Sequence, residues 1–310
     1  MSINPEAAGL PPGLTVLERG WLSSNNILIQ GAAGTALIDS GYCSHAPQTL
    51  ALLAASLQGR PLDVLLNTHL HSDHCGGNAA LQAAYPQLRT LIPPGQAAYV
   101  RDWNPQALSY IPTGQNCPRF GFDAVLVPGS ELALGDAVWQ VHAAPGHDTH
   151  SVILFEPVSR TLVSADALWQ RGFGVVFPEL DGDGAFDEVA TTLDVIEALA
   201  PRWVVPGHGA PFTDVAQALG VARQRLARFV AHPQQHLRYA TKVLLKFKLL
   251  EAQSLEQSEL LAWAQATPYL ARLVHQQFAE LPLAQALALL VAELVASGAA
   301  RQQDTHLFNT

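Results

Sequence analysis

Cysteine and charge are both scarce in this chain. Its 310 residues include only three cysteines, Cys43, Cys75 and Cys117, and without a Cys-x-x-Cys pair they form neither a disulfide framework nor a thiolate zinc site. Charged residues make up 14% while apolar ones reach 49%, a balance that excludes disorder and supplies a sizeable core. Basic residues are the poorer sign, 17 against 26 acidic, and the formal charge of −9 disfavours nucleic acid and anionic membrane surfaces as partners. Part of that negative charge fits a cation site, because ligating carboxylates are neutralised by metal. No apolar run is long enough to span a bilayer, and Met1-Ser2-Ile3-Asn4-Pro5-Glu6 lacks the basic start and apolar stretch of a secretory leader. The expectation is a cytoplasmic protein with reduced thiols and no membrane contact.

What is present is a mixture of strand and helix signals. Short apolar runs bounded by Gly, Pro and Asn predict strands at Asn26 to Gln30, Thr35 to Asp39, Val64 to Thr68, Ala124 to Pro128, Ala137 to His142, Ser151 to Phe155, Thr161 to Ala165 and Trp203 to Pro206. Helical spacing predicts helices at Pro47 to Gln58, Gly77 to Tyr85, Phe186 to Leu199 and Asp214 to Ala231. The fold class is therefore α/β. His232-Pro233 interrupts the last helix, which divides the chain into a catalytic domain at 1–231 and a helical domain at 232–310. In the tail, Ser254 and Gln257 are spaced as a capping box, Pro268 and Pro282 as helix starts and Gly298 as a stop. Arg301 to Phe308 is expected to form a hairpin, which would make the tail winged-helix-like.

The decisive segment runs from Leu62 to Gly77. An apolar strand leads directly into His69, His71, Asp73 and His74. Imidazole and carboxylate hold zinc or iron at neutral pH, and four such groups on one loop can converge on a point. Gly76 and Gly77 are expected to permit a sharp turn afterwards. Two cations need more ligands than this cluster offers, and His147, Asp166 and His208 each follow an apolar strand-like run. If the runs share packed sheets pointing the same way, all seven groups reach one edge.

The His-x-His-x-Asp-His motif, the Pro-Gly-His at 145–147, Asp166 and the Gly-His at 207–208 together resemble the metallo-β-lactamase superfamily over roughly residues 14 to 215. That resemblance implies a four-layer αββα sandwich with its metals at one edge. It implies that His69, His71 and His147 hold the first metal, that Asp73, His74 and His208 hold the second, and that Asp166 bridges them. A carboxylate can bridge because it has two oxygens on a short arm. A water between the ions would lose a proton near neutral pH and attack a carbonyl or phosphorus, with Asp73 and Asp166 as the catalytic carboxylates. Asp39, at the end of Leu37-Ile38-Asp39, resembles a residue that supports the site without ligating metal.

The motif around Asp73 to Asn78 is similar to glyoxalase-II-like and lactonase-like branches, so hydrolysis of a small thioester or lactone is the leading expectation. The competing readings are a phosphodiesterase or ribonuclease, a mononuclear iron persulfide dioxygenase, and a non-catalytic protein stapled by metal. The cofactor expected is a pair of divalent ions, zinc foremost, with iron and manganese as alternatives.

Other candidates have plain structural readings. His45, His232, His236, His275 and His306 read as ordinary polar side chains, Cys75 as a small buried one, and Asp181-Gly182-Asp183-Gly184 as a turn. His142 reads as a supporting residue, and His150 is evenly balanced between pocket and structure. The three lysines, Lys242, Lys246 and Lys248, suit a solvated helix face. The leucine-rich tail makes a homodimer reasonable. Tyr85 to Phe122 and Trp169 to Leu180 are the expected substrate loops, with Trp103, Tyr110, Phe120 and Trp169 as candidate aromatics.

Overall fold

The computed structural model describes residues 10–310. By contact it divides into two units, one reaching Asn104 and resuming from Asn116 to Arg228, the other made of Pro105–Gln115 and Phe229–Thr310. The sequence places the division after Ala231 and gives no sign that an eleven-residue loop groups with the tail.

The first unit holds two sheets. One has six strands in sequential order: β1 Leu14–Leu17, β2 Asn26–Gly31, β3 Gly34–Ile38, β4 Val64–Leu66, β5 Arg89–Ile92 and β6 Ala124–Val125. The other contains β7 Glu131–Leu134, β8 Ala137–Ala143, β9 Val152–Glu156, β10 Thr161–Ala165 and β11 Trp203–Pro206. Among the described residues the α-helices, in order, are α1 Ala46–Leu57, α2 Ser72–Cys75, α3 Asn78–Ala84, α4 Ala97–Asp102, α5 Tyr110–Thr113, α6 Phe177–Asp181, α7 Phe186–Leu199, α8 Val215–Ala231, α9 Pro233–Ala252, α10 Gln257–Ala266, α11 Pro268–Gln277 and α12 Leu283–Ala296.

Side chains alternate across a strand, and the alternation explains the layers. Ile27, Ile29, Ala36, Ile38 and Leu66 of the first sheet pack with Trp139, Val141, Leu154, Val163 and Val205 of the second, forming the core between the sheets. Their neighbours Leu28, Leu37 and Leu65 point the other way and pack with Leu53 and Leu57 of α1 and Leu81 of α3. Beside the second sheet, α7 seats Thr192 Oγ1 on the Pro145 carbonyl at 2.7 Å. The result is the αββα arrangement.

Strand direction brings functional loops to one edge. β8 and β9 are antiparallel, β9 and β10 are antiparallel, and β10 and β11 are parallel. Therefore β8, β10 and β11 all end at the same edge, where His147, Asp166 and His208 follow. Backbone bonds clip the sheets together there: Val152 N donates to Thr68 O at 2.9 Å and Asn25 N to Gly207 O at 2.6 Å.

The second unit is helical with a small sheet. Its helix α11 touches α5, α9, α10 and α12, with Leu270, Leu273, Leu244, Leu245, Leu287 and Leu290 buried. The expected hairpin is present as β13 Ala300–Gln303 and β14 His306–Asn309, with β12 Ser254–Glu256 pairing on the far side of β14. That third strand corrects the expected cap. Ser254 is drawn into pairing with Phe308, and the capping box forms two residues later between Glu256 and Glu259. The lysines differ too, because Lys246 Nζ is turned inward onto Ala299 O and Asn309 Oδ1, both at 2.6 Å. Among the described residues no helix is long and apolar enough to cross a membrane.

Candidate metal centre

The segment after β4 forms the short helix α2, which presents its side chains to the edge. Gly76 and Gly77 do not make the sharp turn expected of them, since both have helical φ of −61° and −81°. They are needed for close approach. A Cβ on Gly76 would lie 2.4 Å from Ser72 O and 2.7 Å from Cys43 N, and one on Gly77 would lie 2.5 Å from Ser40 O. The turn is thus wedged against the segment that follows β3.

Two groups of ligand-type atoms result. His69, His71 and His147 form one, and Asp73, His74, Asp166 and His208 the other, each with its ligand atoms within 4.8 Å of one another. His71 Nδ1 faces His147 Nε2 at 2.9 Å, a separation at which two nitrogens must share a proton or a cation. In the second group His208 Nε2 is 3.2 Å from Asp73 Oδ2. Asp166 stands between the groups with its oxygens divided: Oδ2 lies 3.4 Å from His147 Nε2, while Oδ1 lies 3.5 Å from His74 Nε2 and 3.9 Å from His208 Nε2.

Supporting bonds fix which nitrogen faces inward. His147 Nδ1 meets Val175 O at 2.5 Å and His74 Nδ1 meets Asp39 Oδ2 at 2.8 Å, which assigns the proton to Nδ1 in each ring and leaves Nε2 as the inward donor atom. Asp39 also accepts from Thr68 N at 2.9 Å and Thr68 Oγ1 at 2.8 Å. A divalent ion fits this set on a direct observation. The Nε2 atoms of His69 and His74 are buried without any hydrogen-bond partner, an arrangement costly in a folded protein unless a ligand completes it. The 3.5 Å approach of His74 Nε2 to Asp166 is too long and poorly aligned to satisfy it.

Charge balance points the same way. Burial and the neighbouring imidazoles hold His69 well below the usual histidine range, and burial with His71 lowers His147 to about 4. Both rings are therefore neutral with lone pairs available. Burial would depress His74 as well, yet Asp39, Asp166 and Asp73 outweigh it and raise it well above the usual value. For Asp166 burial opposes ionisation, and His74 and His208 reverse the effect and keep it well below the carboxylate range. Where no cation is bound, a proton on His74 must offset these carboxylates.

Aromatic rings border the centre. Trp21, 55% exposed, lies parallel to His208 with centroids 5.3 Å apart, and Trp169 donates Nε1–H to Asp166 Oδ1 at 3.2 Å. Phe177 sets its edge against His71 and His147. Trp21 and Asn25 escape the sequence reading. Asn25 Nδ2 donates to Pro206 O at 2.9 Å and Gly209 O at 2.7 Å, and so anchors the His208 turn. An Arg-Gly-Trp followed by Ser-Ser-Asn-Asn reads as an ordinary loop, and no local signal marks it.

The undecided residues fall outside both donor groups. His150 packs so closely on Gly95 that a Cβ there would lie 2.1 Å from its Nδ1. His142 Nε2 meets only Gln140 Oε1, at 3.4 Å. Trp103 and Phe120 pack on each other at 5.5 Å, and Tyr110 is buried.

Comparison with known proteins places the fold in a known family. A family model described as the metallo-beta-lactamase superfamily matches residues 19–208. A protein named hydroxyacylglutathione hydrolase from Mesorhizobium japonicum is 31% identical over 144 residues, which is 46% of this chain and 46% of that protein. One of the same name from Rhodospirillum rubrum is 27% identical over 199 residues, 63% of this chain and 66% of its own length. The matched stretches thus span about half to two thirds of those relatives. Among solved structures, a beta-lactamase domain protein from Burkholderia ambifaria is similar with a TM-score of 0.59 at 21% identity, covering 98% of this chain and 95% of that one. A metallo-beta-lactamase family protein from Thermus thermophilus gives 0.56 at 21% identity, covering 97% and 99%.

Proposed function

The chain belongs to the metallo-beta-lactamase superfamily, and from that premise we propose that it is a binuclear metal-dependent hydrolase of a small ester-like substrate, a thioester or lactone. The observation that carries this reading is the division of the Asp166 oxygens between two donor groups that each contain an unpartnered buried nitrogen. His69, His71 and His147 would hold one ion, Asp73, His74 and His208 the other, and Asp166 both. Mixed imidazole and carboxylate donors suit zinc, the leading candidate, and suit iron and manganese as well. Bound divalent ions would supply Lewis acidity and a nucleophilic water at neutral pH.

The residues of the chain do the rest. Asp73, half-buried and facing His208, is placed to take a proton from water on the solvent side. Asp39 and Val175 O hold the rings of His74 and His147 in the orientation that aims Nε2 inward. Trp21, Trp169 and Phe177 give the rim an apolar border, which suits an acyl group. The relatives' printed name, hydrolysis of an acylated glutathione, supports the thioester choice over a phosphodiester. The cytoplasm, a reducing compartment, suits a chain whose three cysteines are thiols.

The test is metal analysis of purified protein followed by rates on thioesters, lactones, phosphodiesters and a chromogenic β-lactam. About two equivalents of zinc and thioester or lactone turnover abolished by chelation are expected. A metal-free protein, or turnover indifferent to Asp166→Ala, overturns the proposal.

A further inference from the structure

The three cysteines, scattered in sequence, come to one place. Cys75 Sγ lies 3.9 Å from Cys117 Sγ, and Cys43 Sγ donates to the carbonyl of Asn116, the residue before Cys117, at 3.3 Å. All three are thiols. Cys75 is fully buried on α2, directly after His74, and its thiol reaches the carbonyls of Leu70 at 3.4 Å and His71 at 3.3 Å. Cys117 is half-buried and lies on the loop before β6. The hydrolytic reading uses neither sulfur.

We propose that Cys75 and Cys117 form a peroxide-sensitive thiol pair whose closure to a disulfide pulls on the turn carrying Asp73 and His74. The more accessible Cys117 reacts first. Its sulfur attacks hydrogen peroxide, the O–O bond breaks, and sulfenic acid and water form. The Cys75 sulfur then displaces the sulfenic hydroxyl, which leaves as a second water carrying the remaining thiol proton. The two thiols supply two electrons, the peroxide accepts them, and one S–S bond results.

Closure has a mechanical consequence. A disulfide requires an S–S distance of about 2.05 Å, so the sulfurs must approach by roughly 1.9 Å from their separation of 3.9 Å. The turn from Asp73 to Gly77 has little slack: Ser24 N bonds Asp73 O at 2.9 Å, Ser40 N bonds His74 O at 2.7 Å, and Gly77 N bonds Gly41 O at 2.9 Å. Cys117 is also restrained, since its neighbour Asn116 N donates to Tyr42 Oη at 3.0 Å. Motion is therefore shared, and α2 shifts as the Cys75 thiol leaves the carbonyls of Leu70 and His71. The displaced residues include two of the donor atoms described above.

The experiment treats the metal-loaded full chain with equimolar hydrogen peroxide, alkylates remaining thiols, and maps unreduced peptides by mass spectrometry. Expected is a Cys75-to-Cys117 cross-linked peptide with Cys43 alkylated, so that two of the three thiols are lost and dithiothreitol restores them. Metal release to a chelator should quicken about tenfold, as follows if the shift weakens affinity to the degree that disturbed supporting residues do. Cys117→Ser should abolish both changes, whereas Cys43→Ser should preserve them. A cross-link through Cys43, or Cys117 oxidised to sulfinic acid with Cys75 alkylated, overturns the pair. A Cys75-to-Cys117 link with unaltered metal release overturns the pull on the turn. None of these readouts depends on substrate turnover, so a failed hydrolase assay leaves the result interpretable.

Discussion

The edge of the two sheets and the polar cluster of the tail unit satisfy their polar groups in opposite ways. In the tail, Arg238 and Lys242 both pair with Glu293, Gln277 Nε2 donates to Thr241 Oγ1 at 2.7 Å, and Lys246 is met by Ala299 O and Asn309 Oδ1. Those charges answer one another within the protein. At the sheet edge, His69 and His74 point buried Nε2 atoms at a shared centre with no protein partner. The difference teaches where to look for chemistry: a polar cluster that completes itself stabilises, and one left incomplete is built for a ligand.

The most forceful way to break the comparison is Asp166→Ala. The change should lower kcat/KM about a thousandfold or more by removing charge stabilisation shared by both halves, with metal content falling alongside. Glu293→Ala, its counterpart in the tail, should leave kcat/KM within about twofold. Equal losses from both substitutions would erase the distinction.

Metal removal should separate the regions next. Ligand binding to the folded state alone adds about 2.7 kcal/mol at a hundredfold excess over Kd, so chelation should lower the melting temperature of the wild type. Asp166→Ala should show almost no such drop. Calorimetry with and without chelator reads the contrast directly.

A subtler cut is Asp39→Asn, which alters only the support of His74. Loss of such a partner commonly weakens metal affinity about 10- to 100-fold, and a competition titration with a chromophoric chelator would measure it. Unchanged affinity would mean that the contact at 2.8 Å is structural.

The smallest effect belongs to the tail. The Arg238 guanidinium beside Glu293 holds its carboxyl below the ordinary value of 4.5. With a depressed folded-state pKa, the stabilisation is present above the unfolded value and is lost as pH falls through the folded one. Because Glu293 is partly exposed, Glu293→Gln should cost roughly 0.2–1 kcal/mol, seen in urea melts at pH 7. The difference should vanish at acid pH below the folded pKa.

The ligand-type residues were legible because their chemistry is distinctive in itself. An unbroken apolar strand ending in His69, His71, Asp73 and His74 says what it can bind without any knowledge of its neighbours. Strands β1, β5 and β7 were not legible, and shortness alone is not the reason, because β4, β6 and β11 are no longer than they are and were still found. One signal was available for β7, because Gly135-Asp136 between two alternating runs marks a hairpin, and Gly135 has the positive φ of 63° that such a turn uses. Trp21 and Asn25 belong to a different class. Asn25 meets Gly209 across 184 positions, and only tertiary structure can put that loop beside the site. The capping box misplaced at Ser254 shows the same limit, because strand pairing with Phe308 overrode a local preference.

The closeness of Asp73 to His208, 135 positions further along the chain, bears on how the molecule comes into being. Contacts so remote in sequence carry a large loop-closure entropy and form late in folding. A nascent or partly melted chain could present the histidines of the β4 loop but could not complete the second donor group until β11 had docked beside β10. High-affinity metal uptake would then report that the last strand has arrived, making the ion a witness to finished assembly.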